Sequence, residues 1–439
     1  LLETYIRTHQ KSQSIHQRAV DLFAGDGATH VLRIFHPFRP YIVRAEGSHK
    51  WDVDGNEYID YTIGHGALLL GHSHPAVVKA VQEQMAKGVH YGENHELEVE
   101  FATLIKKMVP SSERIEFCAS GQEANMLALR LARLYTKRRK ILRLEHHYHG
   151  WADELAMQGS AGIIADEVLI VPSNDIEILE EALRTEKFAA LLCESGGAVM
   201  SGRIPLEDKY TQRLPDLAGK YGTLFILDEV VTGFREAPGG WQEIAGIRPD
   251  LTTLGKCLAG GLTVGAVTGR QDIMEAFSSK TPHDRLIIHG GTWNGNPLIC
   301  AAGIAACKLY ETGIPQRKAR EAADLFRRKG NTVLKDKAIQ GYLYGRSIVH
   351  FYLGTFDFEP QDDTAPPTKD AQKLANFSAI PVKKRLCLHL LQRGIATKDG
   401  SMWSFSAAHS TDDIEKTVEA FADTLDDMIA EGSLSKESQ

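Results

Sequence analysis

Residue types that can do chemistry collect at the ends of four short apolar runs. Thr223-Leu224-Phe225-Ile226-Leu227 reads as a buried strand, yet it closes in two acids, Asp228 and Glu229. An acid there either caps a turn or helix, as most do, or faces a cation. Between Leu251 and Gly269 the single charged residue is Lys256, flanked by Gly255 and small or apolar neighbours. Keeping an ammonium charged in such surroundings costs free energy, which lowers the pKa and favours a nucleophilic amine. The competing reading is a lysine that runs its stem along an apolar surface to water. Ser120-Gly121-Gln122-Glu123-Ala124 sets small residues between a strand and a helix start. Free N–H groups and the helix dipole suit a phosphate there, although such turns also arise from packing alone. The fourth stretch, Glu145 to Trp151, follows "KILRL" and holds His146, His147, Tyr148 and His149. Neither these histidines nor His65, His72 and His74 have a defined cysteine or carboxylate partner, so no metal is expected.

Taken together, the four stretches fit one cofactor, pyridoxal 5'-phosphate. It needs a phosphate site, an amine for its Schiff base, an acid at the pyridine nitrogen and an aromatic residue on the ring. Asp228 would then face the pyridinium. Val230, two residues on, would share its face of the strand and pack beneath the ring.

The elements that must hold these residues follow from periodicity. "RIEFCASGQEANMLALRLARLY" is a short strand, a small-residue turn and a strong helix, and "HPAVVKAVQEQMAKG" is a helix stopped by Gly88. "KILRLE", "FAALLCE" and "TLFILDE" are apolar runs separated by helix-length segments, which implies a mainly parallel sheet covered on both faces. In such sheets ligands bind beyond the carboxyl ends of the strands. "YIVRAEGSHKWDVDGNEYIDY" predicts a hairpin at Asp54-Gly55-Asn56, preceded by a helix or arm to about Gln17. The tail predicts a strand in "GSMWSFSAA" and a capped helix in "STDDIEKTVEAFADTLDDMIAE", with 359–372 as a loop. The expected organisation is an N-terminal arm and part of a small domain at 1–73, a large cofactor domain at 74–329 and a small α+β domain at 330–439. A net charge of −7 over 439 residues gives no footprint for nucleic acid or anionic membrane. The apolar runs are too short to span a bilayer. Six cysteines without CxxC spacing, and no signal-peptide core in Leu1 to Gln10, predict reduced thiols and a cytoplasmic protein.

The motifs "SGQEANMLALRLAR", "YHGWAD", "LDEVVTGFR", "DLTTLGKCLAGGLTVGAVTGR" and "GGTWNGNP" jointly resemble the class III aminotransferases among fold-type I pyridoxal phosphate enzymes. The resemblance runs from about Phe23 to Leu425, within the subgroup similar to glutamate-1-semialdehyde aminomutase. It implies that Lys256 carries the cofactor covalently, Asp228 pairs with the pyridine nitrogen, and Tyr148 stacks opposite Val230. Gly121 and Gln122 bind the phosphate, with Ser120 and His149 also among the cofactor contacts. Thr292 reaches the phosphate of a neighbouring subunit, so a homodimer is implied. Where the family usually has Ser-Gly-Thr-Glu-Ala, Gln122 stands in place of threonine; the backbone donors survive and the hydroxyl does not. In "GDGATHVLR", Arg33 matches a substrate-carboxylate arginine of relatives, a guanidinium suited to bidentate grip. His65 and Glu194 complete the expected substrate residues, and Arg235 is expected to tie down the loop after Val230.

The reaction expected on this basis is ping-pong transamination from an aromatic or otherwise non-standard amino acid to a 2-oxo acid. The ground is Gly64-His65-Gly66 before "ALLLGH", where the aminomutases have Ser-Trp-Gly. Intramolecular amino transfer, the aminomutase reaction, is the alternative. A degenerate pyridoxal-fold binding protein is a third reading, opposed by the presence of both Lys256 and Asp228.

Overall fold

The computed structural model describes residues 1–30, 33–157, 159–185, 187–375 and 380–435. The chain divides into a unit of Pro75–Gln316 and a unit built from both ends, Leu1–His74 with Arg317–Gln439.

In the Pro75–Gln316 unit, seven strands of the described residues form one sheet. Its order is Arg114–Cys118, Gly265–Gly269, Leu251–Leu254, Leu224–Glu229, Phe188–Glu194, Lys140–Leu144 and Val168–Val171. Gly265–Gly269 runs antiparallel to both its neighbours, while the pairs from Leu251–Leu254 to Val168–Val171 are parallel. The central strands are continuous apolar runs because both faces are covered. Leu224 and Ile226 join a core with Leu127, Ala128 and Leu131 of the helix Gly121–Thr136. Phe225 and Leu227 join another with Tyr210, Leu214 and Leu217 of the helix Asp208–Lys220. This alternation carries past the core. Asp228 follows Ile226 onto the face of Gly121–Thr136, and Glu229 follows Leu227 onto the opposite face.

The strand Gly265–Gly269 was not legible as one, since it begins and ends in glycine. The backbone explains why: a Cβ at Gly265 would lie 2.0 Å from the Ser120 carbonyl oxygen, and one at Gly269 2.2 Å from that of Asp250. The start of this strand therefore presses directly against the turn that opens the helix Gly121–Thr136.

In the other unit, Ile42–Glu46, His49–Asp52 and Glu57–Asp60 pair antiparallel in sequence order, and Ile395–Ala396 adds in parallel to the last. The turn at Asp54-Gly55-Asn56 does more than reverse the chain. Asp54 accepts from the Lys11 and Ser12 N–H groups at 2.7 and 2.9 Å, covering free donors of the helix Gln10–Val20. Gly341–Gly345, Ile348–Leu353 and Met402–Ser404 form a second sheet. Thr411–Ala430 begins with a full capping box between Ser410 and Asp413. The loop expected over 359–372 gives way at its end to the short helix Ala371–Ala375. All six cysteines are buried, and none is in a disulfide.

Gly265→Ala should destabilise the protein by about 2–3 kcal/mol, because the new methyl meets main chain that has no rotamer to yield. Urea unfolding followed by tryptophan fluorescence reads this as a lower midpoint, and an unchanged midpoint would contradict the close approach.

Candidate active site

Asp228 ends its strand with 3% of its surface exposed. Buried charge persists only when donors surround it, and three do. His149 Nδ1 lies 2.7 Å from Oδ2, Asn125 Nδ2 donates to the same oxygen at 2.8 Å, and the Val230 N–H donates to Oδ1 at 3.0 Å. Burial lowers the His149 pKa, with Asp228 pulling the other way. Its buried Nε2 meets no partner among the described residues. Asn125 is oriented in turn: its amide also donates to the His149 carbonyl at 2.9 Å, and its oxygen accepts from Thr253 Oγ1 at 2.7 Å.

Lys256 opens a 3₁₀ turn directly after the strand Leu251–Leu254, in a left-handed conformation with φ of 43°. Burial lowers the pKa of its amine, against the pull of Asp228 and Glu194, and Arg235 adds to the lowering. The residue itself stays partly exposed between the buried Gly255 and Cys257. Ser120 caps the helix Gly121–Thr136, its hydroxyl accepting from the Glu123 N–H at 3.2 Å. Its carbonyl takes the Ala124 N–H at 3.0 Å. Among the described residues no acceptor meets the N–H of Gly121 or Gln122, which leaves both for an anion. Gly121 has no room for a side chain, since a Cβ would fall 2.6 Å from Val230 Cγ1. Val230 thus sits on the backbone of Gly121 and Gly255, beside Asp228. These features fit pyridoxal phosphate: anion donors, a desolvated amine, a fixed carboxylate and an apolar shelf.

The remaining expected residues fall into two groups. In the same unit, Tyr148 is 39% exposed, and its N–H donates to Glu194 Oε2 at 3.0 Å. Burial, with Asp228 and Glu194 adding, raises the Tyr148 pKa. Glu194 is buried and held by main-chain donors, so its contacts are structural; burial pushes its pKa up to about 8. Gln122 turns away from the anion donors, its side-chain oxygen accepting from the Trp151 N–H at 2.7 Å, which ties the Tyr148 loop to the helix start. Thr292 is exposed, its carbonyl bonded to His90. Arg235 is fully buried. Glu229 is explained without a ligand: it accepts from Thr232 Oγ1 and from the N–H groups of Trp241 and Gln242 at 2.6, 2.7 and 2.9 Å. In the other unit, Arg33 is exposed and lines a cavity of about 480 Å³ with Phe35, Arg39 and Tyr41. There His65 holds φ of 57° and stacks on His30 at 5.1 Å.

Sequence reasoning missed Asn125 and Thr253. Asn125 carried a readable signal, a polar side chain between Ala124 and Leu127 on the apolar face of its helix.

Residues 35–342 match the model of the aminotransferase class-III family. The chain belongs to that family. It is 37% identical to the glutamate-1-semialdehyde 2,1-aminomutase of Sulfurihydrogenibium azorense, over 93% of this chain and 97% of that one. Among solved structures it is similar to an omega-transaminase from Sphaerobacter thermophilus, 30% identical with a TM-score of 0.84, covering 95% of this chain and 97% of the other. A transaminase with PLP bound is 25% identical with a TM-score of 0.85, over 97% and 99% of the two chains. The protein is accordingly a fold-type I, pyridoxal phosphate-dependent enzyme. The expectation of ping-pong transamination is corrected by these relatives. Curated relatives 33–38% identical to this chain are named glutamate-1-semialdehyde 2,1-aminomutase, the reading held as the alternative. The Gly64-His65-Gly66 departure was given more weight than a few residues can bear against similarity along the whole chain.

Asn125→Ala should lower kcat about 10-fold or more, the worth of one hydrogen bond to a buried charge. Steady-state kinetics on a variant with unchanged circular dichroism checks this, and a wild-type kcat would remove Asn125 from the site.

Proposed function

We propose that this chain catalyses an intramolecular amino shift, moving the amino group of glutamate-1-semialdehyde from C2 to C1 to give 5-aminolevulinate. The observation that supports the reading is similarity from end to end with aminomutases, in a chain that keeps Lys256 and Asp228. When bound, pyridoxal phosphate supplies an electron sink for the carbon that loses its proton. The chain's residues do the rest. The Lys256 amine, lowered in pKa by burial, would act as the base that removes a proton from a substrate carbon and, once protonated, as the acid that returns one. Asp228, anchored through Oδ2, offers Oδ1 to the pyridine N–H and keeps that proton in place. Val230 would support one face of the ring and Tyr148 would cover the other, while the N–H groups of Gly121 and Gln122 would hold the phosphate.

In this reading the working form is a homodimer, with Thr292 reaching the phosphate held by the partner subunit. Exposed Trp151, Ile288 and Trp293, at 79%, 77% and 59%, are large apolar side chains that a second copy would cover. A cytoplasmic location fits six buried cysteines outside any disulfide.

The test is turnover without any keto acceptor. The proposal predicts many cycles of glutamate-1-semialdehyde to 5-aminolevulinate, followed by the colour reaction of the product. Turnover that stops after one equivalent and resumes only when a 2-oxo acid is added would contradict it.

A further inference from the structure

One carboxylate holds two segments that chain order keeps far apart. Glu194, at the end of the buried strand Phe188–Glu194, accepts the Tyr148 N–H on Oε2 at 3.0 Å and the Ser201 N–H on Oε1 at 2.8 Å. Its own N–H donates to His147 Nδ1 at 2.8 Å, so Tyr148 is pinned on both sides of its peptide. The second segment is unusual. Val199, Met200 and Ser201 hold φ of 59°, 61° and 65°, three successive non-glycine residues in the left-handed region, the first of them β-branched. Single residues visit that region; a run of three persists only where the surroundings enforce it. The Ser201 N–H bond to Glu194 is one such enforcement.

We propose that Glu194 is a positioning residue that couples the left-handed turn Val199–Ser201 to the placement of Tyr148 over the cofactor ring. This rests on the reading of Tyr148 as the residue that covers that ring. Both carboxylate oxygens are needed, because each segment occupies one. A glutamine of the same shape offers a single acceptor and turns an NH₂ donor toward the other N–H. The two segments then compete for one oxygen, and each is bonded for only part of the time. Relaxing the turn ends the competition: glycine at 199 adopts a positive φ without strain, so the remaining acceptor is left to Tyr148.

The experiment compares the cofactor-loaded wild type with Glu194→Gln, Val199→Gly and the double variant, by peptide-level hydrogen exchange and by the affinity of the cofactor-free proteins for pyridoxal phosphate. Glu194→Gln should exchange about 10-fold faster over both 146–151 and 197–203, as expected for hydrogen bonds that are made only part of the time. Its affinity should fall about as much. Adding Val199→Gly should restore protection over 146–151, a segment the second substitution does not touch, and should restore affinity with it. Val199→Gly alone should leave 146–151 as in the wild type. Wild-type exchange at 146–151 in Glu194→Gln, or no restoration in the double variant, overturns the coupling. If exchange responds as described while affinity never moves, the coupling stands and the ring-covering role of Tyr148 is what fails.

Discussion

The site depends on surrounding one buried carboxylate with donors. Asp228 stands where a fully apolar strand ends, and an anion there is tolerated only because His149, Asn125 and the Val230 N–H converge on it. Each of those donors is held by another part of the fold. Asn125 belongs to the helix whose first turn offers its N–H groups to an anion, and it is oriented by Thr253 from the strand that leads into Lys256. His149 belongs to the loop that carries Tyr148. Fixing Asp228 therefore ties together the first turn of that helix, the segment of Lys256 and the loop of Tyr148.

The same logic separates the two acids that end the strand. Period-two alternation sends Asp228 to the face of the helix Gly121–Thr136 and Glu229 to the opposite face, where it ties Thr232, Trp241 and Gln242. One acid meets Asn125 of that helix and its neighbour braces the loop beyond the strand. Glycines perform the complementary task, letting backbone and Val230 approach where a Cβ would collide. Gly121 against Val230 and Gly265 against Ser120 are the tightest of these contacts at the site.

Much of this was legible in the sequence, for identifiable reasons. Lys256 stands out because a lone charge in a small, apolar segment is costly, and Asp228 because an acid ending a core strand violates the pattern. Strands buried on both faces read easily as apolar runs. Gly265–Gly269 did not, because its glycines answer to contacts with segments distant in sequence. Asn125 was hidden inside a strong helical pattern, and Glu194 was expected to touch substrate because only the fold shows that its oxygens serve main-chain donors. The reaction was misread from Gly64-His65-Gly66, a short segment, where similarity over nearly the whole chain points to amino transfer within one molecule.

The central claim is that Asp228, charged and held by its three donors, keeps the pyridine nitrogen of the cofactor protonated. Nitrogen-15 NMR of the enzyme loaded with ring-labelled pyridoxal phosphate tests it most directly, with Asp228→Asn as the comparison. The account predicts a pyridinium signal at neutral pH in the wild type and an unprotonated pyridine signal in Asp228→Asn, with the cofactor still bound. An unprotonated nitrogen in the wild type, or a pyridinium that survives the loss of the carboxylate, would contradict it.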